Sequence, residues 1–152
     1  MKLEANEIIA LCHEKMTGTN KVRAWGEEGI FYNPGDYLAR GVYVMTIKQK
    51  DGDNDKGSSL DRAEVYRVNT GVSKETFKRL FGEVPKRPAA GEVVDMPYDF
   101  KALNKIIPHP VYAWMGWICV LNPTKETFND FMPYIQESYD LAKTKFAKRV
   151  KK

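Results

Sequence analysis

The stretch GVYVMTIK, residues 41–48, limits the fold of this chain more than any other. Its β-branched and aromatic content reads as a strand. Val42, Val44 and Thr46 fall on one face, and Tyr43, Met45 and Ile47 on the other. Both faces are mostly apolar, so the strand is expected at the centre of a sheet. Gly29 to Tyr32 reads as a shorter strand, closed by the turn Asn33-Pro34-Gly35-Asp36. Glu64 to Val72 reads as a third strand. The polar loop DGDNDKGSS, 51–59, lies before it and predicts an antiparallel pairing with 41–48. Ala113 to Leu121 is expected as the last strand.

Helical periodicity covers residues 3–16, stopped by Thr17-Gly18-Thr19-Asn20. Ser73 is placed as the N-cap of KETFKRLF, with Gly82 as its stop. Thr124 is placed as the N-cap of the final helix, whose Phe128, Phe131, Ile135, Tyr139, Ala142 and Phe146 share one face. Pro133 inside that pattern predicts a kink or a second segment. Residues 84–97, rich in Pro, Gly and Ala, read as a long surface loop, and Phe100 to Ile107 as one or two helical turns. The order predicts a two-layer α+β fold, an antiparallel sheet of about four or five strands with helices on one face. It predicts one domain over 1–152, with a basic helix end at 143–152.

A chain of 152 residues with 43% hydrophobic and 29% charged residues can bury a real core. Its longest apolar run, Val111 to Leu121, is too short to span a bilayer, and charges interrupt MKLEANEIIALCHEK where a secretory signal needs an apolar run. Two cysteines, Cys12 and Cys119, form no disulfide framework and are expected as reduced core thiols of a cytoplasmic protein. The net charge of +4 comes from the tail: the last ten residues, KTKFAKRVKK, hold bases and no acid.

Rare residues crowd into IIPHPVYAWMGWICVLNP, 106–123. His109, between two prolines, is a candidate general base, with Asp99 as its acid partner; the plainer expectation is a rigid turn whose imidazole bonds a backbone carbonyl. Tyr112, Trp114 and Trp117, with Trp25, are candidate ligand-binding residues. Spacing of three in one strand would set Trp114 and Trp117 on opposite faces. Arg62, Arg67, Lys74, Lys78 and Arg79 are candidate phosphate contacts. Asp51, Asp53 and Asp55 alternate as in a calcium loop, but Lys56 and Arg62 stand where that loop needs glycine and glutamate. No glycine-rich phosphate loop, CxxC pair or HExxH is present.

The segments LDRAEVYRVNTGVSKETFKRLFG (60–82) and LNKIIPHPVYAWMGWICVLNPTKETF (103–128) resemble blocks of an uncharacterised bacterial family without an established activity. More distantly, GWICVL and Ser138-Tyr139-Asp140-Leu141-Ala142 are similar to a strand and helix of the MmcQ/YjbR-like proteins, which implies a secretion-chaperone-like fold and a suggested DNA-binding role. Gly116 departs from that pattern, where a basic residue or histidine precedes the tryptophan. The expectation is a non-catalytic cytoplasmic binding module, working through the sheet face and the loop from Val84 to Tyr112. A homodimer or a small apolar ligand is the expected partner, with no membrane, metal or cofactor. The alternatives are nucleic-acid binding and a small-molecule enzyme using His109.

Overall fold

Local capping sets the helices. The first, α1 (Ala5–Lys15), opens with a capping box in which the Glu7 carboxylate accepts from the Glu4 amide at 3.0 Å. In α2 (Lys74–Phe81), Ser73 Oγ accepts from the Thr76 amide at 3.1 Å, and the Gly82 amide closes on the Lys78 carbonyl. Thr124 opens α3 (Lys125–Val150) in the same way. This helix runs through Pro133 as one element, so no second segment begins there. The computed structural model describes residues 1–24 and 26–151, and Trp25 lies outside the described residues.

Six strands form one open antiparallel sheet: β1 (Thr19–Ala24), β2 (Glu27–Tyr32), β3 (Val42–Lys48), β4 (Arg67–Gly71), β5 (Ile106–Pro108) and β6 (Trp117–Leu121). Their order is β1-β2-β3-β4-β6-β5, so β3 is central as its apolar faces demand, and β3 and β4 pair antiparallel. Three expectations are corrected. TNKVRA is a strand, not only a helix stop; its alternating burial carries one large aliphatic residue, Val22, because an edge strand buries little. Residues 106–108 form the other edge strand instead of helical turns, since Ile106 and Ile107 find partners on β6. Ala113–Met115 is a single 3-10 turn, and the last strand starts only at Trp117. The break is Gly116, at φ +89°, where an added Cβ would stand 2.6 Å from the Val72 carbonyl oxygen.

The two faces of β4 differ in kind. Val68 and Thr70 face the helices: Thr70 Oγ1 and Ser138 Oγ of α3 both donate to the Val44 carbonyl, at 2.9 and 2.7 Å. Phe128, Phe131 and Ile135 of α3 join Ile30, Met45, Ile47 and Val68 in one buried cluster. Arg67 and Asn69 alternate with these and face the other way. Loops cover that second face.

Candidate functional site

Arg67 is fully buried, an unusual place for a side chain that keeps its charge. Every arm of its guanidinium is used. Nη1 donates to Asp55 Oδ1 at 3.0 Å and to Ser58 Oγ at 3.1 Å, Nη2 donates to Asp55 Oδ2, and Nε donates to Asn69 Oδ1 at 2.6 Å. Asn69 carries the chain of bonds across the sheet, its Nδ2 lying 3.2 Å from both Thr46 Oγ1 and Glu27 Oε1. Arg67 thus fastens the loop after β3, through Asp55 and Ser58, to the sheet.

His109 fastens the second loop. Its ring lies with Nε2 3.0 Å from Arg67 Nη2 and 3.9 Å from Asp55 Oδ2. Nδ1 accepts from the backbone amides of Val111 and Tyr112, at 3.1 and 3.0 Å. The imidazole therefore bonds backbone N–H groups, not the carbonyl that a Pro-bracketed turn suggested. Nδ1 accepts from two amides, so the neutral ring carries its proton on Nε2, on the side of Arg67 and Asp55, and an imidazolium would set an Nδ1–H against the two amide N–H groups. Burial first, then the charges of Arg67 and Lys48, hold the pKa of His109 well below the ordinary imidazole value. The acid beside it is Asp55; Asp99 instead accepts from the Lys101 amide. At 1% exposure, His109 has no open path to a substrate.

Directly above this buried set lies a cleft of about 160 Å³. Asn54, Arg87, Val111, Tyr112 and Trp114 are among its walls, with residues 88–91. Asn54 adjoins Asp55, and Val111 and Tyr112 are the two residues whose amides His109 holds. The buried network thus fixes the cleft's shape. The Arg87 guanidinium carbon stands 5.1 Å from the centre of the Trp114 ring, a cation–π arrangement. Tyr112 leans on His109 and on Trp117, at centroid distances of 5.1 and 5.4 Å.

A family model described as a family of unknown function (DUF6194) matches residues 1–151. The chain belongs to that family. No curated protein and no solved structure matches the DUF6194 chain. The uncharacterised family expected from the two sequence blocks is therefore matched at that level.

The structure brings His109, Tyr112 and Trp114 of this DUF6194 protein into one neighbourhood. Trp117 stands behind Tyr112 and packs on Tyr43, with ring centroids 4.6 Å apart. The opposite-face reading of Trp114 and Trp117 fails because Trp114 sits in the 3-10 turn, outside the strand. The basic residues do not gather. Lys74, Lys78 and Arg79 lie exposed on α2, Arg67 is buried, and Arg62 donates to the carbonyls of Ser58, Ser59 and Lys101. Asp51 accepts from the Leu60 amide at 2.8 Å, while Asp55 serves Arg67. Among the described residues no group of three or more His, Cys, Asp or Glu side chains is placed to hold a metal ion, and no helix is long and apolar enough to cross a membrane. Sequence reading missed the Asp55–Arg67–His109 set. Its signal was Arg67 and Asn69 alternating with Val68 in a buried strand, a polar stripe that requires buried partners.

Proposed function

We propose that this chain is a binding module whose ligand site is the cleft between Asn54, Arg87, Tyr112 and Trp114, with no chemistry of its own. One observation carries the reading. The groups capable of acid–base work, Asp55 and His109, are sealed and engaged with Arg67, while Tyr112, whose amide His109 holds, lines an open cleft together with Trp114 and Arg87. Buried polar networks of this kind hold geometry. The volume is below that of sites for drug-sized molecules, so it suits one inserted group. An apolar body against Trp114 and Tyr112, ending in a carboxylate at Arg87, matches the walls: stacking on the indole leaves the guanidinium edge to donate two N–H bonds to a carboxylate.

Hydrocinnamate and N-acetylphenylalanine test this reading. In an NMR titration of the ¹⁵N-labelled chain, either compound should move the Trp114 indole N–H and the Tyr112 amide saturably, and Trp114→Ala should abolish the response. A Trp114 signal unmoved by both compounds at millimolar concentration rules out the reading.

A further inference from the structure

The cleft at Trp114 has a neighbour. A larger cleft, of about 530 Å³, adjoins it, and Arg87, Pro88 and Ala89 line both. Val84, Pro85 and Val93 give the larger one its apolar walls. Its volume falls within the range of roughly 300–1,000 Å³ that holds a drug-sized body, whereas the cleft at Trp114 takes one side chain. Its charges are mixed. Lys86, Glu92 and Asp95 are exposed there, and among the described residues none of the three makes an ion pair. The segment shared by the two clefts also offers main-chain groups. Val84 and Arg87 each precede a proline, which favours extended backbone. Among the described residues, the amides of Lys86, Arg87 and Ala89 make no main-chain hydrogen bond. The Arg87 side chain stacks on Trp114, and its N–H groups make no hydrogen bond or ion pair among the described residues.

We infer that the two clefts together bind the C-terminal end of a polypeptide whose last residue is aromatic. The inference rests on the reading of the Trp114 cleft as a ligand site and names its partner. The terminal ring lies against Trp114 and Tyr112, and the α-carboxylate accepts two N–H bonds from the Arg87 edge. In an extended chain the residue two before the last points to the same side, so its side chain meets the apolar wall at Val84 and Val93. The peptide carbonyls supply acceptors for the unpaired amides beside Arg87. A free aromatic acid would leave the larger cleft empty. A nucleic acid matches less well, because Glu92 and Asp95 repel its phosphates.

NMR titration of the full chain with acetyl-Ala-Val-Ala-Phe, with the C-terminal amide of that peptide and with N-acetylphenylalanine tests it. The peptide acid should bind about tenfold more tightly than N-acetylphenylalanine, and its amide about tenfold more weakly than the acid, as loss of a charge-assisted hydrogen bond predicts. Val93→Asp, at an exposed position, should bring the peptide down to the affinity of N-acetylphenylalanine and leave the latter's shifts unchanged. If N-acetylphenylalanine binds and the peptide binds no more tightly, the inference is overturned and the aromatic cleft stands. If neither moves the Trp114 signal, the reading of the cleft fails and takes the inference with it. An amide that binds as tightly as the acid also overturns the inference, as does a Val93→Asp variant that weakens both ligands alike.

Discussion

Replacing Asp55 by asparagine should reveal how much the buried guanidinium depends on its one carboxylate. At a separation of 3.0 Å and an effective dielectric near 20, the attraction is about 5 kcal/mol. Desolvation of the two groups offsets much of that, and removal of one partner of a buried pair typically costs about 3–5 kcal/mol because the other charge is stranded. Asparagine keeps one accepting oxygen but turns an NH₂ group toward an arginine N–H, so the low end of that range is expected. Arg67 has no exposed surface through which water could replace the lost oxygen. Urea unfolding followed by far-UV circular dichroism should show the loss as a lower midpoint. Hydrogen exchange should show early loss of protection at the Val111 and Tyr112 amides, which His109 holds. Adding Arg67→Met to Asp55→Asn should recover stability, because a buried apolar side chain leaves no stranded charge. An Asp55→Asn loss under about 1 kcal/mol, or a double variant whose losses simply add, would refute the reasoning.

Other outcomes follow from the same structure. The folded-state pKa of His109 is depressed, so the unfolded chain binds the extra proton first. Stability should hold above about pH 6.5 and fall by up to about 1.4 kcal/mol per pH unit as pH drops below it, and His109→Gln should flatten that slope in pH-dependent urea titrations. Burial pushes both thiols, Cys12 and Cys119, up to about 12, so neither should react with Ellman's reagent at pH 8 until denaturant is added. Gly116→Ala should lower stability by about 1–3 kcal/mol, read by thermal unfolding, because a Cβ both enters the left-handed region and meets the Val72 carbonyl.

The helix starts at Ser73 and Thr124 were legible because capping needs only a hydroxyl and an amide three residues away. Strand β3 was legible because its run of β-branched and aromatic residues, apolar on both faces, needs no partner to be seen. The polar strand β1 and the three-residue β5 were not, since an edge strand exists only through the neighbour it pairs with. The site divides in the same way. The crowding of His109, Tyr112 and Trp114 is a property of the sequence. That His109 meets Arg67, 42 residues away, and Asp55, a further 12 residues before Arg67, is decided only by the sheet register and the two loops folded over it. Burial then changed what those residues do: a histidine that could titrate became a neutral acceptor, and an arginine that could meet a phosphate became the fastening of two loops.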